Sequence, residues 1–259
     1  MMKPDLCANE HIISYLNYYV DFPHPQRTAI LLNGPWGVGK THLVRKYMRQ
    51  AKEHGKICVY ISLFGLSTVQ EFDEALLRAI YPVIDSKVAE FTGRIVGICA
   101  RFFRLENPIK ASDIVEASKT DLIIFDDLER CLAPLNTILG YINSLVEHEG
   151  RKVVIVANEK EIADCAVYKV RREKLIGKLF EVQSSFNEAF FEFVRSIQTE
   201  SLRNFFLKKA EDILKLYNQS GLNNLRILQQ SMWDFERLYG AMSEINIANE
   251  EAIDRKSVV

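Results

Sequence analysis

The sequence lacks an apolar run long enough to cross a bilayer. The longest candidate is Ile95 to Phe103 (IVGICARFF), which contains Arg101 and has about half of the ~20 residues that a spanning helix needs. We expect this stretch to belong to a core. No basic segment followed by an apolar run opens the chain, so we expect neither a secretory signal nor a transmembrane segment.

Closely spaced cysteines and an excess of charge are missing too. The five cysteines are scattered (Cys7, Cys58, Cys99, Cys131 and Cys165), which is typical neither of a zinc site nor of a disulfide framework, so we expect reduced thiols and a cytoplasmic setting. With 33 Lys and Arg against 34 Asp and Glu, the net charge is −1. Overall charge therefore gives no attraction to nucleic acid or an acidic membrane, and nucleic acid is a possible partner only through a local patch.

What is present is a composition able to bury a core and one glycine-rich motif. The 259 residues are 48% hydrophobic and 26% charged, which indicates one large domain or a domain with an appendage. Residues 34–41 read GPWGVGKT, the spacing of a phosphate-binding loop. We predict that nucleotide is bound by Gly34, Pro35, Trp36, Gly37, Val38, Gly39, Lys40 and Thr41, with no role for the following His42.

The flanks of this motif support the interpretation. A phosphate loop lies between a buried strand and a helix, because backbone N–H groups and the positive end of the helix must converge on the anion. Residues 28–33 (TAILLN) predict a strand that is covered on both faces, and residues 41–55 predict an amphipathic helix that ends at Gly55.

Further strands and helices alternate along the chain. Apolar runs at 57–63, 121–127 and 152–158 each have the length of a buried strand, and 179–183 could supply a fifth. Between them, Thr68 and Glu71 form a candidate capping box for a helix that should stop at Pro82, and 135–149 carries another helical stripe. The alternation predicts an α/β fold with a doubly wound, mainly parallel sheet.

The strand signal fades after residue 185. We predict a P-loop NTPase α/β domain over residues 1–185 and a helical lid domain over 186–259, whose aromatic residues Phe186, Phe190, Phe191 and Phe193 are expected to pack between helices, with a ligand or partner face as the alternative. The stretch 85–118 resists placement.

Two acids follow one of the apolar runs. In LIIFDDLER (122–130), Asp126 and Asp127 would repel each other unless a metal or an attacking water uses them. We assign Asp126 and Thr41 to a magnesium site and Asp127 to the water; the reverse assignment, or a role for Glu129, is the alternative. Asn158 ends the next run and could bond the γ-phosphate or the water, or simply cap a turn.

These motifs resemble those of the KAP family of P-loop NTPases, in the class that includes AAA+ and STAND proteins. Trp36 matches the family's Gly-x-Trp-Gly-x-Gly-Lys-Ser/Thr, and DDLER matches Asp-Asp-Leu-Asp-Arg with Glu129 for aspartate. The resemblance covers roughly residues 8–239. It implies ATP and Mg²⁺ as ligands and a five-stranded sheet of order 5-1-4-3-2 followed by a C-terminal helical lid.

The resemblance also implies roles for single residues. Asn158 resembles the sensor at the end of the fourth strand. Arg226, in NNLR (223–226), resembles the lid arginine that reaches the γ-phosphate, and Arg130 matches the arginine after the acids. The basic stretch 169–178 could serve a neighbouring subunit's nucleotide, contact nucleic acid or be solvated, and we take it as solvated.

Two kinds of function remain at this stage. One is an ATPase in which nucleotide state is coupled to conformational change or oligomer assembly. The other is a slow-turnover switch or scaffold that controls a partner or an effector domain. We expect a homo-oligomer or an effector protein as partner, and the resemblance suggests bacterial anti-phage defence as the setting. A nucleic-acid motor is less well supported.

Overall fold

The structure is a computed structural model that describes residues 8–85, 119–162 and 166–241. The sequence expectation for Ile95 to Phe103 falls outside the described residues. So does nearly all of the stretch 85–118 that the sequence left unplaced.

A five-stranded parallel sheet forms the centre of the larger part of the chain. Its strands are β1 (Ala29–Asn33), β2 (Cys58–Ser62), β3 (Leu122–Asp126), β4 (Val153–Ala157) and β5 (Ile176–Glu181), and they lie in the order β2-β3-β4-β1-β5. This is the order that the resemblance implied, read from the other edge, so the predicted fold class is confirmed. β5 begins three residues before the predicted position, at Ile176 instead of Leu179.

Burial follows the position of each strand in the sheet. Every residue of β1, β3 and β4 is buried, because these central strands are covered on both faces. β2 lies at an edge and alternates between buried and half-buried residues. Tyr60 and Ser62 therefore share one face of β2, two residues apart.

Helices connect the strands. They are α1 (Glu10–Asp21), α2 (Lys40–Glu53), α3 (Val69–Asp85), α4 (Leu135–Asn143) and α5 (Ala166–Leu175), with short helical turns at Leu128–Arg130, Ser144–His148 and Glu159–Glu161. The apolar faces of α3, α4 and α5 pack on the sheet in one core that includes Phe72, Phe125 and Ile138. α1 and α2 bury their own apolar residues, among them Leu16 and Tyr47.

The start of α3 was predicted correctly, but its end was not. The Glu71 carboxylate accepts the backbone N–H of Thr68, and the Thr68 hydroxyl accepts the N–H of Glu71, both at 3.2 Å, which is the predicted capping box. The expected stop at Pro82 is wrong, since α3 continues to Asp85. Proline removes one N–H, but its fixed φ is helical, so residues that follow it can still bond to earlier carbonyls.

A second compact unit contains the remaining helices. Among the described residues it comprises Ala8, Trp36–Gly39 and 183–241, whereas Asn9–Pro35 and the described part of Lys40–Val182 form the first unit. Its helices are α6 (Phe186–Ser196), α7 (Glu200–Lys208), α8 (Ala210–Gln219) and α9 (Leu225–Gly240). Phe186 and Phe190 are buried in a core that they share with residues of the other three helices, and the Phe186 ring lies 5.1 Å from the ring of Tyr217 on α8. These two rings therefore pack between helices, as expected. The predicted boundary at residues 185/186 stays a prediction.

Candidate nucleotide-binding site

The carboxyl ends of β1, β3 and β4 meet at one edge of the sheet. Asn33 pairs with Ala157, and β3 lies beside β4 with Phe125 opposite Ile155. The first residue of the glycine-rich loop is tied to the same edge, since the Gly34 N–H donates to the Ala157 carbonyl at 3.3 Å. The loop, the acids after β3 and Asn158 after β4 therefore start from adjacent strand ends.

The loop requires glycine at two positions. Gly37 has φ +78° and Gly39 has φ +105°, which are left-handed conformations that side chains disfavour. A Cβ at Gly37 would also overlap the side chain of Asn224, which belongs to the same compact unit. Lys40 and Thr41, the last two residues of the motif, form the first turn of α2, as the motif predicts.

The start of α9 is bonded to this part of the loop. The Leu225 N–H donates to the Gly37 carbonyl at 2.8 Å. Asn224 is the N-cap of α9, and its side-chain oxygen accepts the N–H of Arg226 at 3.0 Å. The predicted lid arginine thus stands in the first turn of a helix that contacts Gly37, within the second unit.

Lys40 is a buried cation. It is 8% exposed, and its ammonium donates to the carbonyls of Gly34 and Pro35. Burial lowers its pKa, and the negative charges of Glu129, Asp126 and Asp127 act in the opposite direction. The three acids that the sequence offered are therefore close enough to the ammonium to stabilise its charge.

Asp126 is the most enclosed of these acids. It is 2% exposed, and one oxygen, Oδ2, accepts the Thr41 hydroxyl at 2.7 Å and the Tyr60 hydroxyl at 2.8 Å. Its other oxygen accepts the Asp127 N–H at 2.8 Å. Burial raises the pKa of this carboxyl, while the bonds from Thr41 and Tyr60 lower it.

The oxygen donors of Thr41 and Asp126 fit Mg²⁺. This cation prefers hard oxygen ligands, and proteins commonly hold it through one or two carboxylates together with substrate phosphates. Among residues 8–85, 119–162 and 166–241, no group of three or more His, Cys, Asp and Glu side chains forms an all-protein cage. One carboxylate beside one hydroxyl matches the sparse set that Mg²⁺ uses.

Asp127 differs from its neighbour in exposure and conformation. Its side chain is 31% exposed, and its backbone is left-handed with φ 60°. The carboxylate accepts the Ser62 hydroxyl at 3.0 Å and lies 3.8 Å from the Arg130 guanidinium. A more open carboxylate beside a buried one is the arrangement expected if Asp126 holds a metal and Asp127 faces a water.

Asn158 presents an unsatisfied atom. The residue is 5% exposed, and its side-chain oxygen has no hydrogen-bond partner within the described part of the chain. The next residue is fixed, because the Glu159 N–H donates to the side chain of Asn33 at 2.8 Å. Buried polar groups are normally bonded, so an orphaned oxygen at this edge points to an interaction with something other than the protein.

The family model described as the KAP family P-loop domain matches residues 9–105 and 104–242. The chain belongs to the KAP family of P-loop NTPases. No curated protein sequence matches it significantly.

Solved structures of other P-loop proteins resemble the KAP chain at low identity. Domain III of the replication initiation protein DnaA from Thermotoga maritima is 16% identical, with 93% of this chain and 90% of that chain covered and a TM-score of 0.45. AMPPCP-bound DnaA from Aquifex aeolicus is 15% identical, with 96% and 76% covered and a TM-score of 0.42. ORC from Drosophila, bound to DNA, is 15% identical, with 92% and 56% covered and a TM-score of 0.45.

Three side chains at the site of this KAP domain were missed by sequence reasoning. Tyr60 and Ser62 on β2 donate to Asp126 and Asp127, and Asn33 links the root of the loop to Glu159 and Glu181. The polar face of β2, which alternates with buried Val59 and Ile61, was the one available signal. Which acid each residue reaches depends on strand register, which the sequence does not show.

The basic stretch 169–178 is not uniformly solvated. Arg172 forms a 2.9 Å ion pair with Glu159, and the Lys178 ammonium lies 5.8 Å from the centre of the Tyr15 ring. Lys169 is exposed, as expected for a solvated basic residue. None of the helices in the described ranges has the length and apolar character needed to cross a membrane.

Proposed function

We propose that this KAP domain binds ATP with Mg²⁺ on the loop Gly34–Thr41 and hydrolyses the bond between the β- and γ-phosphates. The observation that carries the proposal is the cluster of buried Lys40 and Asp126 with half-buried Thr41, whose hydroxyl lies 2.7 Å from the Asp126 carboxylate. A buried cation beside a hydroxyl–carboxylate pair suits a metal–triphosphate complex, because phosphoryl transfer depends on charge neutralisation and positioning.

Each residue then has a definite task. The loop N–H groups and the Lys40 ammonium bind the phosphate oxygens, and Thr41 and Asp126 would hold Mg²⁺, which supplies further neutralisation of those oxygens. Asp127 orients a water and accepts its proton as the water oxygen attacks the γ-phosphorus, which leaves ADP and phosphate. Asn158 either donates its amide N–H to the γ-phosphate or accepts a hydrogen bond from the water, and the second of these would satisfy its orphaned oxygen.

Glu129 is the alternative to Asp127 as the group that activates water. It stands in the turn Leu128–Arg130, and among the opposing charges it has the largest effect on the pKa of Lys40. Asp127 is favoured because the Ser62 hydroxyl holds its carboxylate at the end of β2. Separate Asp127→Asn and Glu129→Gln variants distinguish the two assignments.

A slow-turnover switch is the second candidate function. The Arg130 guanidinium lies 3.8 Å from the Asp127 carboxylate and competes with an attacking water for it, which would slow hydrolysis. Slow hydrolysis would let bound ATP organise the α9 segment, through Gly37 and Leu225, or an assembly of several chains. Arg226 would then report the γ-phosphate from the first turn of α9.

The cellular part of the proposal rests on weaker support. Free thiols at Cys58 and Cys131 support a cytoplasmic setting. Family resemblance alone suggests anti-phage defence, with a homo-oligomer or an effector protein as partner. Function resides in sites and not in folds, so this setting needs its own experiments.

Turnover and binding measurements on three proteins test the biochemical proposal. Wild type should bind a fluorescent ATP analogue and release phosphate, Asp127→Asn should bind equally well but lose about 10²-fold or more in turnover, and Lys40→Ala should lose binding. Tight binding by wild type with negligible turnover would support the switch. Unchanged ATP affinity in Lys40→Ala would contradict the whole site.

A further inference from the structure

We propose that Tyr60 is a positioning residue that holds the Asp126 carboxylate in the orientation required for Mg²⁺, an inference that rests on the proposed function. The sequence predicts no role for Tyr60, because this residue lies within the edge strand β2 and outside the motifs described above. The proposal rests on hydrogen bonds and strand register within the first compact unit.

The Tyr60 hydroxyl completes the set of donors around Asp126. It donates to Oδ2 at 2.8 Å, the oxygen that also accepts the Thr41 hydroxyl at 2.7 Å. Oδ1 accepts the Asp127 N–H at 2.8 Å. With both oxygens bonded, the carboxylate cannot rotate freely, and Oδ2 is kept next to the Thr41 hydroxyl with which it would share a metal.

Strand register explains why a residue as long as tyrosine is needed. Tyr60 lies opposite Ile124, and Ser62 lies opposite Asp126. Tyr60 is therefore two residues away from the level of Asp126, a distance of about 7 Å along the strands. A phenol can span this distance along the face of the sheet, whereas a serine or threonine at position 60 could not.

The Tyr60 ring is held in place by a neighbouring cation. The Arg45 guanidinium lies 5.3 Å from the centre of the ring and limits the ring's movement. The phenol has a single proton and donates it to Asp126. The Asp126 carboxylate is therefore the acceptor in this bond, as it would be toward a cation.

Removing such a partner should weaken the metal more than the nucleotide. Groups that orient a metal ligand typically change metal affinity by about 10–100-fold when they are lost. The Tyr60 hydroxyl bonds to Asp126, not to the residues of the loop, so nucleotide binding without metal should not depend on it.

The test compares Tyr60→Phe with the matched control Tyr141→Phe in the full chain. Tyr141 also donates its hydroxyl to a carboxylate at 2.8 Å, that of Asp73, which is not a residue of the proposed site. Fluorescent ATP is titrated with MgCl₂ and, separately, bound in EDTA. Tyr60→Phe should raise the Mg²⁺ concentration for half-maximal binding by about 10-fold or more, with binding in EDTA within about twofold of wild type.

The outcomes separate this inference from the proposed function. If wild type shows no Mg²⁺-dependent binding, the proposed function fails and the inference fails with it. If wild type responds to Mg²⁺ but Tyr60→Phe responds as wild type does, or no more strongly than Tyr141→Phe, the inference alone is wrong. Should Tyr60→Phe fail to fold, Arg45→Met, which frees the ring, takes its place: a higher Mg²⁺ requirement supports the inference and an unchanged one contradicts it.

Discussion

In the proposed function, single residues at the site favour ligand binding at a cost in stability. The buried Asn158 oxygen, which has no partner among the described residues, is an example. Leaving a buried polar atom unbonded costs about 1–3 kcal/mol. In the proposed function this cost is offset when the attacking water donates a hydrogen bond to this oxygen. Asn158 should therefore favour turnover and lower the stability of the nucleotide-free protein.

Replacing Asn158 by leucine should separate these two effects. We expect Asn158→Leu to leave the free energy of unfolding unchanged or to raise it by about 1 kcal/mol, since an apolar side chain of similar size removes the unsatisfied atom. Turnover should fall by about 10²-fold, the usual loss when one polar group at a reacting centre is removed. Urea denaturation and phosphate release measure the two quantities.

Asn33→Leu is the matched control. Asn33 is also buried, but its amide donates to Glu181 at 2.7 Å and accepts the Glu159 N–H at 2.8 Å. Its loss leaves the Glu159 N–H without its acceptor, whereas the exposed Glu181 carboxylate can bind water, so we expect this variant to be destabilised by about 1–3 kcal/mol. If Asn158→Leu and Asn33→Leu lowered the free energy of unfolding equally, Asn158 would be an ordinary structural asparagine.

The sequence predicted the residues that belong to a fixed motif and missed those that depend on register. Lys40, Asp126 and Asp127 were found because phosphate and magnesium chemistry restricts their type and spacing. Tyr60 and Ser62 reach the acids from a strand that is distant in sequence, and only the pairing of β2 with β3 brings them there. The unequal burial of the two aspartates is likewise a property of the packed sheet.

At the scale of elements, the junction of β1 with β5 depends on one glycine. The register shifts between Ala29 and Ile30, which pair with Ile176 and Lys178, so Gly177 is the extra residue on β5. A Cβ at Gly177 would lie 2.7 Å from the Thr28 Cβ and closer still to its hydroxyl oxygen. β5, whose first residues are also the last of the basic stretch 169–178, can approach β1 only because Gly177 has no side chain.

Gly177→Ala should therefore destabilise the sheet. We expect a loss of about 1–3 kcal/mol in the free energy of unfolding, the usual cost of overpacking. Thr28→Ala in the same chain should restore part of it, because the hydroxyl contact disappears while the close Cβ remains. A four-member denaturation cycle measures this coupling. Strict additivity of the two changes would rule out the contact as the cause.

Elements with strong local signals were predicted better than those set by their surroundings. Buried runs predicted β1, β3 and β4 to within one residue at each end, and Thr68 and Glu71 predicted the start of α3. The start of β5 was missed because an edge strand that begins with Ile176, Gly177 and Lys178 has no apolar run. Pro82 misled the prediction of the α3 end, since a proline in the last turn does not stop a helix.

At the scale of the whole molecule, composition predicted one large domain or a domain with an appendage, and the chain forms two compact units. The assignment of Trp36–Gly39 to the same unit as the late helices was not predictable. It depends on the bond from the Leu225 N–H to the Gly37 carbonyl and on Asn224, which fills the space that a Cβ at Gly37 would need. These contacts join residues almost 190 positions apart, and neither segment has a local signal for the other.

Nucleotide binding should be visible as stability of the entire chain. A ligand that binds only the folded state stabilises it by RT ln(1 + [L]/Kd), about 2.7 kcal/mol at a hundredfold excess over Kd. For a chain of this size, that corresponds to a rise of roughly 5–10 °C in the unfolding temperature.

We expect this shift for wild type and for Asp127→Asn with ATP and Mg²⁺, because Asp127 acts on the water and not on the bound nucleotide. Lys40→Ala should show almost none at the same concentration, since its loop lacks the ammonium, and thermal unfolding with and without ligand measures all three. A full shift in Lys40→Ala would mean that nucleotide binds elsewhere, and its absence in Asp127→Asn alone would move Asp127 from catalysis to binding.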